Sequence, residues 1–120
     1  MNILVVDDSM AMRMIVIKTL REAGYGGHDI AQAADGALAL EHIKKDEPDL
    51  VLCDWNMPNM TGPELLATLN DEGIKPKFGF VTTEGTDAMR EKASELGARF
   101  VITKPFTPES FKAELDKYLN

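Results

Sequence analysis

The segment LVLCDWNMP, residues 50–58, indicates how the chain folds. Its first four residues are apolar and Asp54 follows them at once, which is typical of a buried strand that ends at a polar loop. Comparable apolar runs recur along the chain, and such runs are typical of a sheet that is covered on both faces. The five predicted strands are 3–6, 28–33, 50–53, 78–82 and 99–103.

An amphipathic stretch follows each predicted strand. Ser9 and Asp35 are suited to cap the first two helices, and Pro63 and Pro108 suit the first turns of the third and the last helix. Gly24 is expected to end the first helix. Strands that alternate with helices predict a parallel α/β sheet with right-handed crossovers. The residues expected to face the core are Met12, Ile15, Val16, Leu20, Ala23, Ala37, Leu40, Ile43, Leu65, Leu66, Leu69, Met89, Ala93, Leu96, Phe111, Leu115, Tyr118 and Leu119.

Composition and charge exclude several classes of protein. The 120 residues are 44% hydrophobic and 28% charged, which suits one globular domain and is unlike a disordered or fibrous chain, so we expect a single domain over residues 1–120. The net charge of −7 disfavours binding to nucleic acid or to an anionic membrane. Cys53 is the only cysteine, which excludes an internal disulfide and fits a cytoplasmic protein. The apolar run at 3–6 is too short to cross a membrane.

Polar side chains stand where the predicted strands end. Asp7 and Asp8 follow the first strand, Asp54 the third and Lys104 the fifth, and Thr82 closes the fourth. The carboxyl ends of parallel strands meet at one edge, where open α/β sheets bind ligands. Three carboxylates that repel one another favour a bound cation, and oxygen ligands with incomplete coordination suit Mg²⁺. Each residue alone has a simpler interpretation as a cap, a strand end or a surface lysine, and their coincidence favours a Mg²⁺ site.

These motifs, taken in order, resemble the receiver domain of bacterial response regulators. The resemblance covers the whole chain, and DWNMPNM at 54–60 is particularly similar to the stand-alone chemotaxis regulators of that family. It implies a flavodoxin-like fold, in which a parallel sheet of order 2-1-3-4-5 carries helices on both faces. The matching segments are LVVDDS at 4–9, CDWNMP at 53–58, Val81-Thr82 and Lys104-Pro105-Phe106.

The resemblance also implies a phosphorylation site. Asp54 would accept a phosphoryl group from a histidine kinase of the chemotaxis type. Mg²⁺ would be held by the side chains of Asp8 and Asp54 and by the backbone carbonyl of Asn56, with Asp7 acting through water. Such a protein passes signals between proteins and is not an enzyme with a separate substrate.

Further roles follow from the same resemblance. Lys104 and Thr82 would bind phosphoryl oxygens, and the peptide between Lys104 and Pro105 would be cis. Asn56 and Glu84 would flank the water that hydrolyses the phosphoryl group, so that the signal is short-lived. A shift of Thr82 would move helix four and strand five and expose the state of the protein to an output partner, such as a flagellar motor switch protein. We expect the protein to be a monomer.

The output face departs from the pattern of the chemotaxis regulators. Val101 occupies the position of their aromatic switch residue, and Phe100, one residue earlier, is expected to point to the opposite face of the sheet. Thr86 and Asp87 stand where those regulators carry basic residues, and Glu114 replaces a lysine of the last helix. The departures leave an alternative function, a receiver that drains phosphoryl groups as a phosphate sink and has no motor-binding output.

Two other classes fit the sequence less well. Aspartate-nucleophile phosphatases usually carry a second carboxylate two residues after the nucleophile, and here that position is Asn56. A binding module with a degenerate site would have lost some of the site residues, and all are present. Two neighbours of Asp54 are given structural roles: Cys53 is expected to face the core, and Trp55 is expected to be partly exposed, with a fluorescence that responds to Mg²⁺.

Overall fold

Five strands and five helices alternate in a computed structural model that describes residues 1–119, apart from the side chain of Leu119. The bounds of the five predicted strands agree with the observed ones to within about one residue. The strands are β1 (Asn2–Val6), β2 (Asp29–Ala33), β3 (Leu50–Cys53), β4 (Lys77–Thr82) and β5 (Phe100–Thr103). The helices are α1 (Met10–Leu20), α2 (Gly36–Lys45), α3 (Gly62–Asp71), α4 (Asp87–Glu95) and α5 (Pro108–Leu119).

All the strand pairs in the sheet are parallel, and their order is β2-β1-β3-β4-β5, which confirms the implied fold. Val6 of β1 pairs with Cys53 of β3, and Cys53 pairs in turn with Phe80 of β4. At the other side of β4, Thr82 pairs with Thr103. The central strands therefore end at nearly the same level, which is the condition for a shared site.

The sheet separates two hydrophobic cores. Alternate residues of a strand face opposite sides, so Val5 joins the core beneath α1 and α5, whereas Val6 joins the core beneath α2 and α3. Leu52 and Cys53 divide in the same way. Both faces of the sheet are thus covered, as the apolar strands predicted.

The helix faces were predicted with two errors. Ile15 was expected in the core but is 48% exposed, because Val16, Ile17 and Leu20 form the buried stripe of α1 and Ile15 lies beside that stripe. Ala37 was also expected inside, and it is exposed. Asp35 caps α2 and sets Gly36, Ala39 and Ile43 against the sheet, which turns Ala37 outward.

The first helix ends at Leu20, one turn before Gly24, where the sequence predicted its end. After Leu20 the chain winds through a wider π-helical turn, Arg21–Tyr25, and reverses at Gly24, whose φ of 97° is favourable for glycine. Tyr25 is buried in this turn, and its hydroxyl donates a hydrogen bond of 2.6 Å to Asp116 of α5. The turn therefore fastens the end of α1 to the last helix.

Gly79, in the middle of β4, is explained by its neighbour in β5. Gly79 pairs with Phe100, and a Cβ atom added at Gly79 would lie 2.1 Å from Cε2 of that ring. The ring covers the glycine and packs on Tyr118 at a centroid distance of 5.7 Å. Val101 lies against the other core, which confirms that the two side chains face opposite sides of the sheet.

Candidate functional site

Backbone hydrogen bonds fix the candidate site residues at one edge of the sheet. The N–H of Asp7 donates to the carbonyl of Ala33 at 3.2 Å, and the N–H of Asp54 donates to the carbonyl of Val6 at 2.9 Å. The N–H of Lys104 donates to the carbonyl of Thr82 at 2.8 Å. The sheet pairing thus continues one residue past each strand, so the sheet itself positions these side chains.

Three carboxylates meet at this edge, as the positions of the strand ends predicted. Asp7 is buried, Asp54 is half-buried and Asp8 is exposed. Each offers an oxygen, and these oxygens all lie within 4.8 Å of one another. Opposite ligands of an octahedral Mg²⁺ lie about 4.2 Å apart, and carboxylate oxygens are ligands that Mg²⁺ prefers. The donor set therefore fits a hard divalent cation that keeps some of its water.

Lys104 supplies the positive charge of the site. Its Nζ lies 3.3 Å from Oδ2 of Asp7 and 3.8 Å from Oδ1 of Asp54, and only 12% of its side chain is exposed. The structure thus places Lys104 between two carboxylates and closer to Asp7. A lysine held in this way counters part of the negative charge of the cluster.

The electrostatic environment of Asp54 differs from that of an ordinary surface aspartate. Burial raises the pKa of its carboxyl, and the nearby charges of Asp7 and Asp8 raise it further. The Lys104 ammonium and the N–H of Trp55, which donates to Oδ1 at 2.8 Å, oppose that rise without cancelling it. Ionised Asp54 is therefore costly for the fold and is suited to receive a cation or to form a bond.

The remaining predicted residues lie at the ends of β3 and β4. Thr82 is buried, and its Oγ1 accepts a hydrogen bond of 3.3 Å from the N–H of Glu84. The side chains of Glu84 and Asn56 are exposed in the loops that follow these strands. The register thus puts Thr82 next to the level of Asp54, with Asn56 and Glu84 on the solvent side.

Arg13 is a supporting residue that the sequence did not reveal. Its Nη1 donates to the backbone carbonyl of Asp7 at 2.6 Å, and its Nε donates to Gln32 at 3.0 Å. Asp7 is held on its other side by the N–H of Ser9, which donates to Oδ1 at 2.9 Å. The one available signal was the position of Arg13 four residues after the Ser9 cap, which turns its side chain back towards the strand end.

The two residues that flank Asp54 along the chain lie as predicted. Cys53 is buried in the core, where its thiol donates a hydrogen bond of 3.2 Å to the carbonyl of Asp54. Burial, followed by the charges of Asp54 and Asp7, raises the pKa of this thiol. Trp55 is half-buried, and its ring lies 4.7 Å from that of Phe80.

The loop between β3 and α3 contacts the start of α2, a contact that was also missed. Asn59 has a positive φ of 67°, and its Nδ2 donates to Oδ2 of Asp35 at 2.8 Å. The other oxygen of Asp35 accepts from the N–H of Leu38 and caps α2. The Leu38 hydrogen bond and then the Asn59 hydrogen bond hold the pKa of Asp35 below its ordinary value.

The face formed by α4 and β5 carries the predicted departures. Thr86 and Asp87 are exposed at the start of α4, and Thr86 caps the helix. Arg90 reaches across from α4 and donates to the carbonyls of Gly85 and Val101, at 3.2 Å and 3.3 Å. Arg90 therefore joins the loop after β4 to the backbone of β5. It lies on the side of the sheet that Val101 faces, and Val101 has no aromatic ring.

Comparisons with known proteins agree on one family. A model of the "Response regulator receiver domain" matches residues 3–116. The chemotaxis protein CheY-3 of Vibrio cholerae is 40% identical over 120 residues, which cover 98% of this chain and 90% of that protein.

Within residues 1–119, the structure has no helix that is both long and apolar enough to cross a membrane.

Solved structures show the same likeness. The crystallised chemotaxis protein CheY4 of Vibrio cholerae superimposes with a TM-score of 0.84 at 32% identity, over 97% of this chain and 96% of that chain. A DNA-binding response regulator of the LuxR family from Staphylococcus aureus gives a TM-score of 0.87 at 25% identity, over 99% and 98%. The likeness of fold thus includes regulators with different outputs.

Proposed function

This chain belongs to the response regulator receiver domain family, and on that premise we propose that it is a stand-alone regulator of a two-component system whose phosphoacceptor is Asp54. One observation carries the proposal: Asp7, Asp8 and Asp54 converge with Lys104 at the carboxyl edge of the sheet. The single receiver domain spans residues 1–120 and acts in the cytoplasm.

Asp54 is the nucleophile of the proposed reaction. The N–H of Trp55 already donates a hydrogen bond to Oδ1 of Asp54, which favours Oδ2 as the attacking atom. Oδ2 forms the new P–O bond while the P–N bond of a kinase phosphohistidine breaks, and the imidazole nitrogen keeps the electron pair and takes up a proton from solvent.

The other residues stabilise the charge on the transferred group. Asp8, Asp54 and the Asn56 carbonyl would hold Mg²⁺, with Asp7 acting through water, and the cation would supply positive charge to the phosphoryl oxygens. Lys104 needs only a small movement from its place between Asp7 and Asp54 to reach a phosphoryl oxygen.

Dephosphorylation and signalling follow from the residues around the phosphoryl group. Asn56 and Glu84, which are exposed in the loops after β3 and β4, orient the water that hydrolyses the acyl phosphate. Thr82 gives up its bond to the Glu84 N–H and donates its hydroxyl hydrogen to a phosphoryl oxygen. Since that bond belongs to the loop after β4, a shift of Thr82 changes the position of the loop and of α4.

The proposed partners are a histidine kinase as phosphodonor and a protein that reads the state of α4 and β5. The likeness to CheY-3 favours chemotaxis or motility, with a flagellar motor switch protein as one candidate output. Val101, which has no ring to reposition, favours a second candidate, a phosphate sink. We propose no nucleic-acid or membrane partner, and we expect a monomer.

Phosphorylation of the intact protein tests the proposal. Treatment with acetyl phosphate or phosphoramidate should add one phosphoryl group in the presence of Mg²⁺ and none after chelation, measured by mass spectrometry. Asp54→Asn should remove the modification, whereas Asp71→Asn, an exposed carboxylate of α3, should keep it. Modification of Asp54→Asn at the wild-type level would contradict the assignment.

Chemical shifts of the phosphorylated protein separate the switch from the sink. In a switch, amide shifts extend from Asp54 through Thr82 to α4 and β5. In a sink they stay within the residues that surround Asp54.

A further inference from the structure

The loop that joins β3 to α3 contacts the end of the sheet on one side and the start of α2 on the other. On the sheet side, the N–H of Gly62 donates to the carbonyl of Trp55 at 2.9 Å, and a Cβ at Gly62 would lie 2.4 Å from the carbonyl oxygen of Asp54. On the other side, a Cβ at Gly36 would lie 2.6 Å from the carbonyl oxygen of Met60. The loop therefore presses directly on the start of α2.

One side-chain hydrogen bond closes the contact with α2. Asn59 donates from Nδ2 to Oδ2 of Asp35 over 2.8 Å. Asp35 is 8% exposed and cannot turn away without losing its other bond, because Oδ1 holds the N–H of Leu38 at 2.8 Å. Asn59 thus reaches an acceptor that α2 keeps in place.

The position of this loop matters because Asn56 lies in its exposed part. Under the proposed function, the carbonyl of Asn56 is a ligand of Mg²⁺, whereas the carboxylate ligands are placed by the sheet. A carbonyl in a free loop must be ordered when the cation binds, and the ordering costs backbone conformational entropy. A loop that is already held in place avoids most of that cost.

We propose that Asn59 is a positioning residue, whose hydrogen bond to Asp35 preorganises the β3–α3 loop so that the Asn56 carbonyl faces the carboxylate cluster before Mg²⁺ arrives. The inference rests on the proposed function for the identity of the cation. It adds a contact from α2, which supplies none of the proposed ligands, as a determinant of Mg²⁺ affinity.

Substitutions at residue 59 test the inference. Asn59→Gly removes the amide and keeps a backbone that favours positive φ, and Asn59→Asp places a second carboxylate against Asp35. Both should weaken Mg²⁺ binding, read from Trp55 fluorescence, by about tenfold, the scale of changes to residues that orient metal ligands. The double variant Asp35→Asn/Asn59→Asp rebuilds the bond with donor and acceptor exchanged, and it should recover most of the affinity.

A matched control removes a similar bond elsewhere. Asn70 of α3 donates from Nδ2 to the carbonyl of Leu96 at 2.7 Å, so Asn70→Ala should lower stability and leave Mg²⁺ affinity unchanged. Hydrogen exchange of the metal-free protein gives an independent measurement. Asn59→Gly should speed the exchange of residues 56–60 there, and Asn70→Ala should not.

The outcomes distinguish the inference from the proposed function. If Asp54→Asn binds Mg²⁺ as wild type does, the proposed metal site is wrong. If wild type binds Mg²⁺ and Asp54→Asn does not, but Asn59→Gly and Asn59→Asp match wild type in affinity and in exchange, the positioning role of Asn59 is wrong. Failure of the exchanged pair to recover affinity would also contradict it.

Discussion

At the scale of single residues, the site combines a costly carboxylate with fixed partners. Asp54 is half-buried beside Asp7 and Asp8, and Lys104 counters their charge only in part. Residues that function requires are often unfavourable for the fold of the unliganded protein, because the ligand supplies the missing interaction. The proposed role of Asp54 fits this relation.

Asp54→Asn should therefore stabilise the metal-free protein at pH 7, by about 1 kcal/mol, the usual scale of a single substitution. The pKa of Asp54 is raised in the folded state, so the wild-type protein loses stability as the pH rises from the ordinary aspartate pKa through the raised one. Urea denaturation across this pH range should show that Asp54→Asn is more stable than wild type above the raised pKa of Asp54. Below the ordinary aspartate pKa the two proteins should not differ in this way.

Under the proposed function, Mg²⁺ should reverse that order, because it would bind wild type and not the variant. Asp71→Asn, an exposed carboxylate, is the matched control and should follow wild type in both conditions. A metal-free Asp54→Asn protein less stable than wild type at pH 7 would contradict the electrostatic argument.

At the scale of elements, β4 and β5 pack together because Gly79 has no side chain and the large ring of Phe100 lies over it. The ring of Phe100 occupies the space that a side chain at position 79 would fill. The aromatic residue of β5 thus lies in the core under α5, not on the face formed with α4. Arg90 instead connects α4 to the loop after β4 and to β5, through its hydrogen bonds to the carbonyls of Gly85 and Val101.

Gly79→Ala should destabilise the protein by roughly 1–3 kcal/mol, since the new methyl group would overlap the Phe100 ring and overpacking costs this much. Chemical denaturation measures the change. Gly27→Ala is a suitable control, because a Cβ there has no atom within 4 Å. The double variant Gly79→Ala/Phe100→Val should lose less free energy of unfolding than the sum of the losses in the two single variants. Losses that simply add would argue against a direct overlap of the two side chains.

The pattern of strand ends predicted that Asp7, Asp54 and Lys104 lie close together, because parallel topology alone brings them to one edge. Sequence reasoning could not find the bond between Asn59 and Asp35, which depends on the path of a loop. It also placed Ile15 and Ala37 in the core, because neighbouring helical residues differ by about 100° in direction and a small error in the stripe moves a side chain to solvent.

At the scale of the whole molecule, one hydrogen bond joins distant parts of the chain. Tyr25 and Asp116 are 91 residues apart and connect the turn after α1 to α5. Burial and then the bond to Asp116 raise the pKa of Tyr25 to about 12. The bond requires the protonated phenol, so it contributes stability over the whole neutral range.

Tyr25→Phe should lower the free energy of unfolding by roughly 1 kcal/mol, the usual net value of one hydrogen bond. The difference from wild type should stay constant below about pH 10 and disappear as the pH rises to about 12, because the folded-state pKa is the raised one. Tyr118→Phe is the matched control, since that ring packs on Phe100. A difference that persists unchanged at pH 12 would show that Tyr25 acts through packing.

The buried thiol of Cys53 has a practical consequence. It is the only cysteine of the chain, it lies directly behind Asp54 in the central part of the sheet, and it is shielded from solvent. A thiol reagent can reach it only in molecules in which the sheet has separated from the helices that cover it. The rate at which a thiol reagent labels Cys53 in the unmodified protein thus measures how often the core beneath Asp54 opens.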